Sequence, residues 1–312
     1  MAGGLHLRVF SGEAAPVNTR IVSVGECMVE LAPAGDGRLQ PGFAGDTFNT
    51  AWYLRRELPA AWEVAYASAV GDDPLSAQMV DFMAAAGLET RTVQRLPGLT
   101  VGLYLISLTQ GERSFTYWRG QSAARHLADD SAALDAALEG AGWIYCSGIT
   151  LAILAPDARE RLLGRLRMAR TAGVKVAFDP NRRPRLWPDA EVMNREILAG
   201  AAVSSLVLPS FDEEAKWQGD TTPEATLERH RGLGVETVIV KNGAGRIHAA
   251  AGDVCCHYDP PPVEPVDTTA AGDSFNAGVI AALATGVELP AALARGAALA
   301  RRVIGGYGAL VP

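Results

Sequence analysis

Short apolar runs rich in β-branched residues recur along this chain at Ile21 to Gly25, Val64 to Val70, Trp143 to Cys146, Val174 to Phe178, Ser205 to Pro209 and Val238 to Lys241. Between them lie stretches long enough for crossover helices: Asp46 to Leu58, Leu75 to Ala86, Pro156 to Ala172 and Ala225 to Leu233. Three of these four run into a nearby Gly or Pro stop. Strands of this kind, connected by helices, satisfy their backbone and bury both faces as a mostly parallel sheet covered on each side. The pattern therefore predicts the α/β class.

One segment breaks that rhythm. Val101 to Leu108 and Arg113 to Arg119 are strand-like runs joined by the polar turn Thr109, Gln110, Gly111 and Glu112, which reads as a hairpin. With Met28 to Ala32 it is expected to form a small antiparallel sheet, drawn from about residues 28–44 and 96–122. Such a sheet makes a lid over the C-terminal ends of the parallel strands, where open α/β sheets bind ligands. Its exposed edges point to pairing with a second copy, hence to a homo-oligomer. After Asp253 a proline run, Pro260 to Pro262 and then Pro265, leads into one helix from Gly272 and another from about Pro290 to Val303. Residues 1–20 show no periodicity and are read as an N-terminal extension, leaving 21–312 as the folded domain.

Charge excludes one class of function. The 28 Lys and Arg against 35 Asp and Glu give a net charge of −7, so no basic surface is available for nucleic acid. The longest charge-free stretch, Gly140 to Pro156, is interrupted by Gly142 and Gly148 and is too short to span a bilayer. Arg8, Glu13 and Arg20 break any apolar signal-peptide core, so a cytoplasmic location without membrane contact is expected. Cys27, Cys146, Cys255 and Cys256 lack a CxxC spacing and read as structural thiols, and the five histidines show no metal-ligand spacing. The absence of Gly-Lys-Ser/Thr excludes a P-loop, and the absence of GxGxxG removes the main support for a dinucleotide oxidoreductase.

Chemistry concentrates in the string Asp267, Thr268, Thr269, Ala270, Ala271, Gly272, Asp273, Ser274, Phe275, Asn276, Ala277, Gly278, followed by the apolar run Val279 to Ala284. Small residues at a helix start leave the N–H groups around Ala270 to Asp273 unpaired, and with the helix dipole these make an anion site suited to a transferring phosphoryl group. Asp273 sits where it can accept a proton from a hydroxyl attacking phosphorus in line. A first-turn Asp also serves simply as a helix cap, and residue type alone leaves both readings open.

The string resembles the C-terminal signature of the PfkB, or ribokinase-like, family of sugar kinases, Asp-Thr-x-Gly-Ala-Gly-Asp. It matches at Asp267, Thr268, Ala271, Gly272 and Asp273 and carries Ala270 where glycine is usual, a replacement that an ordinary φ accommodates. The family's N-terminal Gly-Gly pair followed by Asn is met in weaker form by Ala44, Gly45, Asp46, Thr47, Phe48 and Asn49. The resemblance runs from about Ile21 to the C-terminus. It implies a ribokinase-like three-layer α/β/α fold with a β lid, ATP and Mg2+ as cofactors, Asp273 as catalytic base, and Ala270, Ala271 and Gly272 as the turn that holds the phosphoryl group.

Finer matches resemble the branch of that family acting on 2-keto-3-deoxygluconate. They include Gly25 to Glu30, Gly45 to Ala51, Gly102 to Tyr104, Tyr117 to Gly120, Ser122 to Ala124, and Phe178 to Arg183 with Leu186 and Trp187. By that resemblance Gly45, Asp46, Asn49, Tyr104, Tyr117, Arg119, Arg183 and Asp273 contact the sugar acid. The family's nucleotide strand and loop resemble Val240 to Gly245, which assigns Lys241, Asn242, Gly243 and Gly245, together with Ser210, Ala270 and Gly272, to ATP. The family's Asn-x-x-Glu motif, tied to magnesium and phosphate, aligns with Ser210, Phe211, Asp212 and Glu213 and matches at Glu213.

Blander readings of the same residues stand beside these. Tyr104 and Tyr117 alternate into a sheet and could simply pack, Arg182, Arg183 and Arg185 could form a solvated loop, and Gly243 could serve a tight turn. For the arginines chemistry favours the sharper reading, because an acidic chain that binds a sugar acid must place cations locally, and guanidinium matches carboxylate bidentately. The expected activity is ATP-dependent phosphorylation of the primary 6-hydroxyl of 2-keto-3-deoxygluconate, giving the 6-phosphate and ADP. The alternatives are another sugar kinase of the family, acting on fructose or ribose, and a catalytically silent sugar-binding protein of the same fold.

Overall fold

The computed structural model describes residues 18–109 and 112–312. Most of the expected N-terminal extension, residues 1–17, and the expected turn residues Gln110 and Gly111 therefore lie outside the described residues.

The N-terminal third comprises β1 (Arg20–Val24), β2 (Met28–Pro33), β3 (Leu39–Ala44), α1 (Asp46–Glu57), β4 (Glu63–Val70), α2 (Pro74–Ala85), β5 (Val93–Arg95), β6 (Gly102–Thr109) and β7 (Glu112–Trp118). The middle holds α3 (Ser131–Leu138), β8 (Trp143–Ser147), α4 (Gly148–Ile153), α5 (Pro156–Thr171), β9 (Lys175–Asp179), α6 (Ala190–Ala202), β10 (Leu206–Val207), α7 (Phe211–Gln218) and α8 (Pro223–Gly232). The chain continues through β11 (Thr237–Val240), β12 (Ile247–Ala251), β13 (Val254–Tyr258), α9 (Ala271–Ala284) and α10 (Leu289–Ile304).

Among the described residues the large sheet has the order β13-β12-β11-β10-β9-β8-β1-β4-β5. It is parallel from β11 through β5, with β12 and β13 added antiparallel at one edge. Alternate residues of each strand enter opposite cores: Ile21, Val64, Tyr66, Tyr145 and Ile239 on one side, Val22, Val24, Ile144, Val176 and Val238 on the other. Phe48 of α1, Met79 of α2, Phe275 of α9 and Leu293 of α10 cover the first face, while Leu151 of α4, Leu162 of α5 and Ile197 of α6 cover the second. Burial on both faces is why the parallel strands read as near-continuous apolar runs, and the result is the expected three-layer α/β/α arrangement. None of the described helices is long and apolar enough to cross a membrane.

Two features depart from expectation. The β12–β13 edge hairpin lies outside the expected pattern, because β12 is a short, alanine-rich strand interrupted by His248 and β13, carrying Cys255 and His257, is largely exposed, so neither presents the apolar run that marks an interior strand. The small sheet, order β3-β2-β6-β7, is mixed rather than antiparallel, since β2 and β6 run parallel. Both follow the C-terminal ends of parallel strands of the large sheet, β2 directly after β1 and β6 after β5, so they head in one direction. Met28, Ala44, Tyr104 and Ile106 of this sheet pack with Ala309 into a small separate core. Tyr53 fixes that end of the chain: its hydroxyl donates to the Ala309 carbonyl (2.8 Å) and accepts from the Val311 N–H (3.0 Å).

Candidate active site

The apolar strands leave their polar neighbours just beyond their C-terminal ends, and these line a cleft of about 1020 Å³ beneath the small sheet. Glu26 follows β1, Asp179 ends β9, Ser210 follows β10 and Lys241 follows β11. The first residues of α1 (Gly45, Asp46, Asn49) and the turn into α9 (Ala270 to Asp273) form the floor, and Tyr104, Phe115, Tyr117 and Arg119 of the small sheet and its continuation form the opposite wall.

Among the described residues neither α1 nor α9 has a side-chain cap, so the positive ends of both helices open on the cleft. Gly45 is required where it stands, since a Cβ there would lie 2.2 Å from the Glu26 carbonyl oxygen. The two helix starts are bonded to each other: Asn49 Nδ2 donates to Asp273 Oδ2 (2.8 Å), and Thr50 Oγ1 donates to the Asp273 carbonyl (3.2 Å). Asp273 thus engages Asn49 and does not cap its own helix. Ala270 has φ 60 and ψ 16, in the left-handed region, which corrects the expectation of an ordinary φ. The conformation costs alanine about 1 to 2 kcal/mol that glycine would not lose.

Burial pushes the Asp273 carboxyl up to about 8, with the charges of Asp46 and Asp179 adding to the shift and Asn49 and Lys241 opposing it. Asp46 accepts from Asn181 Nδ2 (2.7 Å), and Asn181 itself adopts a positive φ of 32. Lys241 Nζ donates to Asp179 Oδ2 (2.7 Å) and Asn276 Oδ1 (3.2 Å), and Asn276 Nδ2 donates in turn to Asp179 Oδ2 (2.6 Å). Its ammonium lies beside the α9 turn, 3.7 Å from where a Cβ on Gly272 would be. Of the N–H groups expected to be open, that of Ala271 is taken by the Thr268 carbonyl (3.2 Å), so a proton-avid carboxyl, the N–H groups of Gly272 and Asp273 and the Lys241 cation meet at the start of α9, an arrangement able to take a proton beside a bound anion.

The structure brings Gly45, Asp46, Asn49, Tyr104, Tyr117, Arg119, Arg183, Ser210, Glu213, Lys241 and the residues 270–273 to this one cleft. Two of the cations are less available than expected. Arg119 is bonded to buried Glu26, which also accepts from Ser122 Oγ (2.5 Å). Arg183 Nη1 donates to Glu213 Oε1 (3.0 Å), so an expected sugar contact and the expected metal ligand hold each other. Burial raises the Glu213 carboxyl, opposed by the Arg182 N–H and the Arg183 charge. Tyr104 is buried with its hydroxyl on Glu30, whereas Tyr117 is 49% exposed. Asn242, Gly243 and Gly245 form the turn between β11 and β12, closed by Gly245 N–H to the Asn242 carbonyl (2.8 Å), and do not line the main cleft. Glu26, Asp179 and Asn181 were legible as members of matched strings but carried no role there; Ala309, also in the wall, had no sequence signal.

Comparisons with known proteins cover nearly the whole chain. The family model described as pfkB family carbohydrate kinase matches residues 18–312. The 2-dehydro-3-deoxygluconokinase of Escherichia coli strain K12 is 39% identical over 307 residues, covering 95% of this chain and 98% of that protein. The enzyme of the same name from Dickeya dadantii strain 3937 is 38% identical over 300 residues, covering 94% and 96%. The crystal structure of a PfkB protein from Polaromonas sp. JS666 superimposes with a TM-score of 0.83 at 29% identity, covering 92% of this chain and 96% of that one.

Proposed function

This chain belongs to the pfkB family of carbohydrate kinases, and on that premise we propose that it transfers a phosphoryl group from ATP to the 6-hydroxyl of 2-dehydro-3-deoxygluconate, also called 2-keto-3-deoxygluconate, releasing ADP. The observation that carries the chemistry is the Asp273 carboxyl facing the cleft at the uncapped start of α9. Asp273 takes the proton of the 6-hydroxyl as its oxygen bonds to the γ-phosphorus and the bridging oxygen leaves with ADP. The N–H groups of Gly272 and Asp273 and the Lys241 ammonium hold the phosphoryl oxygens as charge builds on them. Asn49 and Asp46 orient the sugar end.

For the acid group we assign Arg183 and Arg119. Both hydrogen bonds of the Arg183 guanidinium use Nη1, which leaves its Nε and Nη2 edge for a carboxylate. Arg119 Nε is buried without a hydrogen-bond partner among the described residues, a donor that a ligand oxygen would satisfy. Tyr117 and Tyr104 then form a wall against the carbon chain, and the small sheet acts as a lid.

Magnesium fits as an ion that enters with the nucleotide. Among the described residues no three His, Cys, Asp or Glu side chains converge as a metal cage, whereas Glu213, beside Ser210 at the start of α7, offers the one or two protein oxygens that Mg2+ takes when phosphates and water supply the rest. When bound, the ion neutralises phosphate charge. The reading also places the chain in the cytoplasm, where its four free cysteines stay reduced, and as a homo-oligomer joined through the small sheet, whose Trp118 is 57% exposed. A coupled ADP-release assay across sugar acids and neutral sugars tests the assignment. Turnover should be greatest with 2-dehydro-3-deoxygluconate; equal turnover of fructose or ribose would leave only the broader family activity, and sugar binding without ADP release would mark a silent binder.

A further inference from the structure

Behind the cleft, and outside the residues assigned to the reaction, lies a cluster of ionisable groups on α7, α8 and two loops, centred on a buried ion pair. The Arg182 and Glu214 side chains are both 0% exposed. Arg182 Nη2 donates to Glu214 Oε1 (3.3 Å) and Oε2 (3.1 Å), and Nη1 donates to Asn194 Oδ1 on α6 (2.8 Å). From α8, Arg229 bonds to both Glu214 and Asp220, and His230 Nε2 stands 3.8 Å from Glu214 Oε1. Burial alone would raise the Glu214 carboxyl, but the ring of His230 and the charges of Arg182 and Arg229 hold it down at about 2. Buried ion pairs seldom stabilise a fold relative to well-packed apolar side chains, which directs attention to what this one holds in place.

It holds the loop that enters the cleft. Consecutive residues 182 and 183 grip consecutive residues of α7 on opposite sides: Arg182 bonds inward to Glu214 while its backbone N–H donates to Glu213 Oε2 (3.0 Å), and Arg183 bonds to Glu213 on the cleft side. One residue earlier, Asn181 is held at positive φ by its N–H to Asp179 Oδ1 (3.1 Å) and its Nδ2 to Asp46. The backbone of 179–183 is thus pinned at the cleft by Asp46 and Asp179 and in the interior by one guanidinium.

We propose that Arg182 is a positioning residue for this reaction: locked between Glu214 and Asn194, it sets the backbone that presents Asn181 to Asp46 and aims Arg183 and Glu213 into the cleft. The inference rests on the reading of Arg183 as a contact of the sugar acid. It is tested in the full chain with Arg182→Met, Arg182→Lys and the double variant Arg182→Met with Glu214→Leu, which replaces both buried charges with apolar volume. Arg182→Met should raise KM for the sugar acid by about tenfold, lower kcat, and reduce the preference for the acid over its neutral deoxy-ketose analogue by a similar factor. Arg182→Lys should lie between Arg182→Met and the parent. The double variant separates positioning from bulk stability: its thermal midpoint should return toward that of the parent while KM and the acid preference stay impaired. Recovery of KM together with the midpoint, or an unchanged acid preference in Arg182→Met, would overturn the inference alone. Failure of the parent protein to turn over the acid would overturn the functional reading and this inference with it.

Discussion

The two walls of the cleft are held by different means. On the floor, Asn49 with Asp273, Asn181 with Asp46, and Lys241 with Asp179 and Asn276 form three sets of hydrogen bonds between segments far apart in sequence. On the small sheet, the cleft is met by Tyr104, Phe115 and Tyr117, whose rings lie 5.7 to 6.3 Å apart, with Glu30 bonded to Tyr104 and Glu26 to Arg119. A proton and a phosphoryl group move over short distances and need fixed donors, while a carbon chain can be held by ring faces that shift as a unit. The floor is therefore the place where a single atom matters, and the sheet the place where motion is tolerated.

The sharpest attempt to break this contrast is Asp273→Asn, which keeps the size and the contact with Asn49 but removes the proton acceptor. Turnover should fall by about 10² to 10⁴ with the KM for ATP little changed. Tyr117→Phe on the opposite wall should change kcat only a few-fold, and near-normal turnover of Asp273→Asn would erase the difference between the walls.

Truncating the two arginines sharpens it. Arg119→Ala and Arg183→Ala should each weaken binding of the acid by about 1.5 to 3 kcal/mol, with Lys restoring part of the loss. Only Arg119→Ala strands a buried carboxylate, Glu26, so its thermal midpoint should drop while that of Arg183→Ala, whose side chain is 50% exposed, should not. Equal midpoints in calorimetry would show that the Glu26 pair does not brace the sheet. Hydrogen exchange reads the motion directly: residues 101–109 and 112–119 should slow on addition of sugar acid, whereas the body of α1 from Asn49, whose N–H already donates to the Gly45 carbonyl (2.7 Å), should be protected without it.

A smaller effect follows from the raised Asp273 carboxyl. The folded state holds that proton more tightly than the unfolded chain, so the contribution of this group to stability is greatest at low pH and declines as pH climbs from the usual carboxylate range through about 8. Asp273→Asn removes the decline. The ligand-free variant should therefore outlast its parent in thermal unfolding at pH 9, and a parent whose midpoint is flat between pH 5 and 9 would contradict the shift. Smallest of all, Ala270→Gly should gain about 0.5 to 1 kcal/mol by relieving the left-handed alanine, partly offset by the freer unfolded chain.

The parts of this molecule legible in sequence are those where one local pattern carries the information. Strands β1, β4, β8, β9 and β11 announce themselves because both faces are apolar, and the string from Asp267 to Gly278 does so because small residues cluster before an apolar helix. α7 carries Asp212, Glu213, Glu214 and Lys216 in its eight residues and shows no apolar stripe, so it passes unnoticed although it places Glu213. The engagement of Arg119 by Glu26, 93 residues earlier, depends on how β2 and β6 pair, which no local spacing encodes. The positive φ of Ala270 is likewise set by the loop around it, against the preference of the residue.

The bond between the starts of α1 and α9 also has a consequence in time. Asn49 waits for Asp273, 224 residues further along, and Tyr53 for Val311, 258 residues further along. At a synthesis rate of about 5 to 20 residues per second, roughly 10 to 45 seconds separate the emergence of the two halves of the floor from the ribosome. Throughout that interval Asn49 Nδ2 lacks its Asp273 acceptor, whereas Thr47 meets the Tyr66 hydroxyl only 19 residues on and Thr50 has the Asp46 carbonyl of its own helix. A nascent chain thus passes most of its synthesis without a competent site and with a polar-studded helix face that only the last segments to be translated can cover.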